Sequence, residues 1–186
     1  LITDGRQVYE NVMAKFGIEK ERARSLWNRF YPQVCVGDKR EIYLWENIIK
    51  EAQLNISVEN LAQDYDAGFE AFQENFEIVE RLRQNYRIGL LTNNVAEWFD
   101  YQKQRFNLER YFDGLILSYR IGAMKPDRRI FEYAWRLFKI EPYEAVFIDD
   151  YKEYAEAAQA LRMKGITLEK PELLKERLEQ ARIITL

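Results

Sequence analysis

The sequence AVFIDD, from Ala145 to Asp150, places a short apolar run directly before two adjacent carboxylates. Two comparable runs precede it, IGLLT at residues 88–92 and GLILS at 114–118, and a weaker run, GITL, follows at 165–168. Uninterrupted apolar runs of this length are typical of strands that are buried on both faces of a parallel sheet. Segments with helical patterns separate or follow the runs, at residues 95–106, 128–138, 153–163 and 171–181. This alternation predicts an α/β fold with a parallel sheet and helices on both faces.

The chain before residue 87 contains helical patterns only. Val8, Val12 and Phe16 recur every four residues and indicate a first helix. A second helix is expected over residues 19–31, where Pro32 should end it because proline cannot donate the helical hydrogen bond.

A third helical pattern covers residues 38–53. It places four apolar side chains on one face, namely Ile42, Trp45, Ile49 and Ala52. Because helices fill the chain up to residue 86 and strands begin after it, we predict two domains. The first is an all-helical domain at residues 1–78, and the second is an α/β core at residues 79–186.

The composition suits a globular protein that binds neither nucleic acid nor a membrane. The chain has 186 residues, of which 47% are hydrophobic and 15% aromatic, enough for a core domain with a small satellite. A net charge of −3 and a pI of about 5.3 argue against the basic face that nucleic-acid and membrane-surface binders present. No apolar run approaches the length of a membrane span. The oligomeric state stays open.

Two residue counts limit the compartment and the chemistry. The single cysteine, Cys35, cannot form an internal disulfide, so we expect a reducing, cytoplasmic environment. The sequence contains no histidine, which excludes Ser-His and Cys-His nucleophile pairs and zinc sites with histidine ligands. Acid–base chemistry must therefore come from carboxylates, lysine or tyrosine.

Polar residues follow the predicted strands at the edge where a parallel sheet binds its ligands, the carboxyl ends of the strands. In chain order they are Thr92, Asn93 and Asn94 after the first strand, Lys125 after the second, and Asp149 and Asp150 after the third. Each group alone has a plainer interpretation, as a helix cap or a surface charge. Their agreement at three strand ends favours one shared site.

The residue types at these strand ends suit a phosphate group. Thr92 can donate its hydroxyl to a phosphate oxygen, and Lys125 can supply a full positive charge. The backbone N–H groups of Asn93 and Asn94, just before a helix, should also favour an anion. We therefore expect these residues to bind a phosphorylated substrate.

The acid pair suits a magnesium ion beside that phosphate. Carboxylate oxygens are the protein ligands that Mg²⁺ prefers. Successive residues of a strand face opposite ways, so only one of the pair can point into the site. We expect Asp149 to be the direct ligand and Asp150 to act through water.

Three motifs in this order resemble those of the haloacid dehalogenase-like (HAD) superfamily. Thr92-Asn93 after an apolar strand resembles the second motif, and SYRIGAMKPDRRIF, which contains Lys125, resembles the stretch around the third. VFIDD, which ends in Asp150, resembles the fourth, metal-binding motif. The helical domain is similar to the small cap of the subfamily that includes sugar-phosphate phosphatases and 2-haloacid dehalogenases. The resemblance covers essentially the whole chain.

The resemblance implies a fold, a reaction and a set of site residues. The fold would be a Rossmann-like three-layer α/β/α core with a parallel sheet, covered by an all-helical cap. The reaction would be hydrolysis of a small phosphomonoester through an aspartyl-phosphate, with Mg²⁺ as cofactor. The implied catalytic groups are Thr92 and Lys125, and the implied metal ligands are Asp149 and Asp150.

The chain departs from the family pattern in two ways. Family members often have asparagine where Tyr154 stands and glycine where Arg162 stands. The sequence also lacks the family's first motif, an apolar strand followed by Asp-x-Asp-Gly that carries the nucleophile and the general acid. Asp4 cannot be that nucleophile, because only three residues precede it and Arg6 occupies the position of the acid. We expect the nucleophile on a strand immediately before Leu1, and we expect the chain without it to be inactive.

Three other functions are compatible with parts of the pattern. A 2-haloacid dehalogenase needs no metal and usually replaces the metal carboxylate with a small polar residue, so the Asp149-Asp150 pair favours a phosphatase. A phospho-acceptor receiver domain uses similar residues, but its acid pair comes first and it has no helical domain. A non-catalytic member of the superfamily that binds a ligand or partner stays possible, and the sequence upstream of Leu1 would distinguish it.

Overall fold

The computed structural model describes residues 1–184, and within that range it contains ten α-helices and four strands. The helices are α1 (Gly5–Lys15), α2 (Lys20–Cys35), α3 (Glu41–Ala52), α4 (Val58–Ala67), α5 (Gln73–Leu82), α6 (Ala96–Phe106), α7 (Ser118–Ile121), α8 (Arg128–Phe138), α9 (Lys152–Ala160) and α10 (Leu174–Gln180). The strands are β1 (Gly89–Thr92), β2 (Gly114–Leu117), β3 (Val146–Asp149) and β4 (Lys164–Thr167). None of these helices combines the length and the apolar character needed to cross a membrane.

The four strands form two separate parallel pairs. β1 pairs with β2, and Thr92 stands opposite Leu117 at the carboxyl end. β3 pairs with β4 in the same way, and Asp149 stands opposite Thr167. Within residues 1–184 no ladder of hydrogen bonds joins one pair to the other. The chain therefore has the predicted Rossmann-like α/β core with parallel strands, but the sheet is divided in two.

A large cavity lies between the two strand pairs. Its volume is about 1430 Å³, and both inner strands line it, β1 with Leu91 and β3 with Ile148. Phe138 of α8 and Leu178 of α10 add to the apolar lining. An unpaired strand edge presents backbone N–H and C=O groups that need partners. The cavity therefore has both the apolar walls and the unpaired edges that one further strand would satisfy.

Helices α1–α4 form the cap, which has an aromatic core. Trp27 of α2 and Trp45 of α3 are 5% and 1% exposed, and Tyr65 of α4 packs edge-on against Trp45. Trp98 of the core helix α6 completes the cluster. The indole N–H groups of Trp45 and Trp98 both donate to Oε1 of Glu41, at 2.6 and 2.7 Å. This cluster joins the cap firmly to the core.

Helix α5 packs against the α/β core. Phe76 and Val79 of this helix pack with Phe99 and Leu117, which belong to the α/β core. A division between residues 78 and 79 would cut through the helix. These contacts connect α5 with the α/β core, and the boundary between the two domains stays a prediction.

Two helix predictions are wrong in detail. α2 continues through Pro32 to Cys35, which is fully buried, so packing of the last turn outweighs the hydrogen bond that proline cannot make. In α3, Ile42 is 51% exposed, whereas Leu44 and Ile48 are buried. The helix is therefore rotated about its axis relative to the predicted inward face.

Candidate active site

Two buried charged side chains meet at the carboxyl ends of β1 and β3. Lys125 lies in the segment between α7 and α8, and its Nζ is 2.6 Å from Oδ2 of Asp149. Each of the two residues is only 8% exposed. The same ammonium donates to the carbonyl oxygen of Leu91 on β1, at 3.4 Å. Lys125 thus bridges the two strand pairs at the rim where the sequence predicts the site.

The side chain of Asn93 fixes the backbone of Lys125. Its Oδ1 accepts a hydrogen bond from the Lys125 N–H at 2.7 Å, and its Nδ2 donates to the Lys125 carbonyl at 3.1 Å. Tyr31 of the cap donates its hydroxyl to the carbonyl oxygen of Asn93 at 3.0 Å. Asn93 therefore orients Lys125, and the cap in turn holds the backbone of Asn93.

Thr92, the last residue of β1, is partly buried at the same rim. Its hydroxyl lies 3.5 Å from the carbonyl oxygen of Asn93, which is long for an O–H···O hydrogen bond. Such a weak contact would give way to a ligand oxygen. The position and the chemistry of Thr92 thus suit the role that the sequence assigns to it.

Asn94, which follows Asn93 after β1, is buried and lies at the wall of the same cavity. Its backbone N–H donates to Oγ of Ser118 at 2.9 Å, and its side-chain amide donates to Gln102 at 2.8 Å. Its Oδ1 accepts the N–H of Val95 just before α6. These buried hydrogen bonds stabilise the loop after β1, and the expectation that Asn94 binds substrate stays a prediction.

The two adjacent carboxylates have different environments. Asp149 is buried, and besides its ion pair it accepts the backbone N–H of Tyr151 at Oδ1, at 3.0 Å. Asp150 is exposed as a residue, but the surrounding protein partly desolvates its carboxyl group. Desolvation by the surrounding protein, followed by the nearby carboxylates of Asp149 and Asp4, raises the pKa of Asp150 to about 6. This contrast is the one expected when successive residues leave a strand on opposite sides.

Three tyrosines, to which the sequence analysis gives no role, surround these residues. The Tyr154 ring centroid is 5.1 Å from Nζ of Lys125, and Tyr151 stacks on Tyr154. Both follow the acid pair at the start of α9, and a helix that begins at a strand end places its first turn over that end. Their position directly after the acid pair could therefore have indicated, from the sequence, that Tyr151 and Tyr154 lie near the site. Tyr31 reaches the site from the cap, and no local pattern in the sequence indicates this contact.

Comparison with known protein families identifies the family to which a chain with these site residues belongs. The family model of the haloacid dehalogenase-like hydrolases matches residues 33–168, which is most of the chain. The chain belongs to this family. The match includes the strand ends that carry Thr92, Lys125 and Asp149, and it begins within the helical cap. The resemblance inferred from the three motifs is therefore confirmed at the level of the family.

Solved structures of HAD enzymes have the same fold as this chain. A HAD family enzyme from Bacteroides thetaiotaomicron superposes with a TM-score of 0.81 at 22% identity, over 95% of this chain and 92% of that one. A second crystal structure of that enzyme, in complex with magnesium and inorganic phosphate, gives a TM-score of 0.76 at 21% identity. It covers 90% of this chain and 88% of that one. At these identities the similarity establishes the HAD fold.

Curated relatives in sequence include phosphatases. The chain is 35% identical to the pyrimidine 5'-nucleotidase YjjG of Escherichia coli (strain K12) over 57 residues, which are 31% of this chain and 25% of that protein. It is 33% identical to the D-ribitol-5-phosphate phosphatase of Bacteroides thetaiotaomicron over 75 residues, 37% of this chain and 36% of that protein. The matches thus span well under half the length of these relatives.

Proposed function

We propose that this HAD hydrolase is a magnesium-dependent phosphatase that acts on the phosphomonoester of a small metabolite. The observation that carries the proposal is the buried Lys125–Asp149 ion pair at the carboxyl ends of two parallel strands, 2.6 Å between the charged atoms. A buried lysine would supply a fixed positive charge for the phosphate, and the acid pair beside it would hold a metal ion that neutralises further negative charge. The phosphatases among the curated relatives support the same reaction.

The phosphate would be bound by Thr92 and Lys125. The Thr92 hydroxyl would donate to one phosphate oxygen, while the Lys125 ammonium would neutralise another. Asn93 would act through Lys125, because its side chain holds the lysine backbone by two hydrogen bonds. A small phosphorylated metabolite fits a site that lies beneath a helical cap, since a protein or nucleic-acid substrate would need a more open surface.

The nucleophile would come from a strand that occupies the cavity between β1 and β3. Leu1 lines this cavity, and its carbonyl oxygen accepts the N–H of Phe72 at 2.9 Å, so a segment joined to Leu1 would start at the cavity wall. A parallel strand there would pair with both unpaired edges and direct its carboxyl end toward Lys125 and Asp149. An aspartate at that end would attack phosphorus and form the aspartyl-phosphate.

The acid pair fits a magnesium ion. Mg²⁺ usually takes one or two protein carboxylates and completes its coordination with water and a substrate phosphate. Asp149 and Asp150 would hold it, Asp149 directly and Asp150 through water. The remaining ligands would come from water, the substrate phosphate and the proposed strand. When bound, the ion would neutralise charge on the phosphate during transfer.

The test is turnover by the full-length protein, meaning the product of the complete reading frame that contains this chain. It should hydrolyse members of a panel of sugar and nucleotide monophosphates when Mg²⁺ is present, and should lose that activity when the metal is chelated. Metal-independent release of halide from 2-chloropropionate would instead identify a dehalogenase. Binding of phosphate esters without turnover on any panel member would favour the non-catalytic alternative.

A further inference from the structure

Tyr154, which follows the acid pair on α9, contacts the lysine of the site. Its ring centroid lies 5.1 Å from Nζ of Lys125, and its hydroxyl lies 3.5 Å from Nδ2 of Asn93. Asn93 is the residue that holds the Lys125 backbone. Tyr154 therefore touches both the charged end of the lysine and the side chain that fixes its backbone.

The ammonium of Lys125 is surrounded by aromatic rings on one side and a carboxylate on the other. Phe147 of β3 presents a second ring at 5.7 Å from Nζ, while Asp149 is the ion-pair partner. A cation over the face of an aromatic ring is attracted to it, and the attraction is strongest when the cation is desolvated. Lys125 is 8% exposed, so both rings act on a charge that is largely removed from water.

A second tyrosine connects this arrangement to the cap. Tyr151 stacks on Tyr154 with ring centroids 5.1 Å apart and an interplanar angle of 25°. The Tyr151 hydroxyl donates to the carboxylate of Asp4, at 3.2 Å from Oδ1, and Asp4 caps the first helix of the cap domain. The guanidinium of Arg6 covers the Tyr151 ring at 4.8 Å. Contacts thus run without a break from the start of α1 to the ammonium of Lys125.

We propose that Tyr154 is a positioning residue that holds the Lys125 ammonium at the phosphate site, and that Tyr151 keeps the Tyr154 ring in place through its contacts with the cap. The ring of Tyr154 is the essential part, because the cation–π contact and the stacking both use its face. The hydroxyl is secondary, since 3.5 Å is long for a hydrogen bond. The part of the proposal that concerns phosphate rests on the proposed function.

The first experiment measures the contact itself, whether or not the protein is a phosphatase. In the full-length protein, NMR signals of the Lys125 side-chain methylene groups should be shifted upfield by the ring current of Tyr154. The shift should persist in Tyr154→Phe and become clearly smaller in Tyr154→Leu and in Tyr154→Asn, where only the Phe147 ring remains beside the lysine. Tyr133→Leu removes an exposed tyrosine, 41% exposed on α8, and should leave the signals unchanged. Unshifted lysine signals in the wild type would overturn the proposal.

The second experiment measures affinity for inorganic phosphate in the presence of Mg²⁺, by calorimetry on the same variants. Tyr154→Leu should weaken binding on the order of 10-fold, from the loss of a desolvated cation–π contact, and Tyr154→Phe should restore it to within about 2-fold. In Tyr154→Leu the Michaelis constant should rise by a similar factor. The thermal midpoint of Tyr154→Leu should fall no further than that of Tyr154→Phe.

Two outcomes separate the two proposals. A wild-type protein that shows the shifted lysine signals but binds no phosphate would refute the proposed function and leave the positioning contact intact. Equal phosphate affinities in Tyr154→Leu and Tyr154→Phe would overturn the positioning role. The link to the cap is tested by Tyr151→Leu, which should reduce the ring-current shift of Lys125. An unchanged shift would show that Tyr151 does not hold the Tyr154 ring in place.

Discussion

The Lys125 ammonium and the Asp149 carboxylate form a buried ion pair across the gap between the two strand pairs. Lys125 also contacts the carbonyl of Leu91 on β1, so one side chain bridges β1 and β3 at the rim of the cavity. Desolvating two charges is expensive, and removing one partner of a buried pair usually costs about 3–5 kcal/mol. Breaking this pair by substitution of either residue should therefore lower stability as well as test the proposed site.

The acid pair should contribute unequally to metal binding. Asp149→Asn should abolish Mg²⁺ binding to the full-length protein, whereas Asp150→Asn should only weaken it. The reason is that successive residues at a strand end face opposite ways, so only one of the pair can be a direct ligand of the ion. Titration calorimetry with Mg²⁺ measures both. If both variants lose only a small and equal part of their Mg²⁺ affinity, the acid pair acts as a helix cap and not as a metal site.

Lys125 should matter far more for turnover than another lysine of the core. Lys125→Ala removes a preorganised charge and should lower kcat about 100- to 1000-fold. Lys103→Ala is the matched control, because Lys103 lies on α6 and pairs with Asp100 and Glu109 at 3.6 and 3.7 Å. That control should keep nearly all activity. A Lys125→Ala enzyme with normal turnover would move the phosphate site elsewhere.

Arg162 adopts a backbone conformation that favours glycine. Its φ is +68°, and the N–H of Met163 donates to the carbonyl of Ala158, as in the Schellman ending of a helix. Arg162→Gly should stabilise the full-length protein by about 1 kcal/mol and raise Tm by roughly 2–4 °C. Arg136→Gly, in the last turn of α8, should destabilise it by about as much. Calorimetry measures the change in stability of both variants. If Arg162→Gly and Arg136→Gly destabilise the protein equally, Arg162 has no backbone strain to relieve.

Asp66 should make stability depend on pH. Burial, followed by the Glu41 carboxylate, raises the pKa of Asp66 to about 7, and Arg105 opposes the shift. The folded state favours the protonated form of Asp66. The stability that the protonated carboxyl group contributes is therefore complete below pH 3.8 and is lost as the pH rises to about 7. Asp66→Asn should therefore be more stable than wild type at pH 8 and should converge with it near pH 4.

Urea titrations followed by tryptophan fluorescence would measure this difference. Glu59→Gln is the control, since it removes an exposed carboxylate of the same helix, α4. The difference between Asp66→Asn and wild type should grow between pH 4 and pH 7 and stay constant above it. A difference that does not vary with pH would show that Asp66 is ionised throughout.

The sequence predicts what local patterns control. The four strands lie within a residue or two of the predicted positions, because each is an uninterrupted apolar run between helical segments. The convergence of Lys125 and Asp149 could also be predicted, since the carboxyl ends of parallel strands meet at one edge. These features depend on chain order and periodicity, which one sequence contains.

What the sequence does not predict depends on distant contacts. Asn94 follows β1 as Asn93 does, but its backbone N–H donates to Ser118, which lies 24 positions further along the chain. α2 passes through Pro32 because its last turn is buried against the core, and that burial has no local signal. Tyr31 reaches Asn93 from 62 positions away in the chain. Such contacts form only once the cap lies on the core.

The cavity between β1 and β3 makes a physical prediction about the 186-residue chain by itself. A strand is about 5–6 residues long, and each buried backbone group without a hydrogen-bond partner costs roughly 1–3 kcal/mol. A whole domain is stable by only about 5–15 kcal/mol. The chain alone should therefore unfold readily or associate through its unpaired strand edges, whereas a chain extended by the proposed strand should be monodisperse in light scattering.

We propose that a further parallel strand in the cavity between β1 and β3 completes the sheet and supplies the nucleophile. The most direct test compares phosphatase activity of the 186-residue chain with that of the full-length protein, with Mg²⁺ and the same panel of sugar and nucleotide monophosphates. We predict turnover by the full-length protein and none by the 186-residue chain. If turnover by the full-length protein is lost when the first aspartate of an upstream Asp-x-Asp-Gly sequence is changed to asparagine, that aspartate is the nucleophile. Turnover by the 186-residue chain alone would contradict the account.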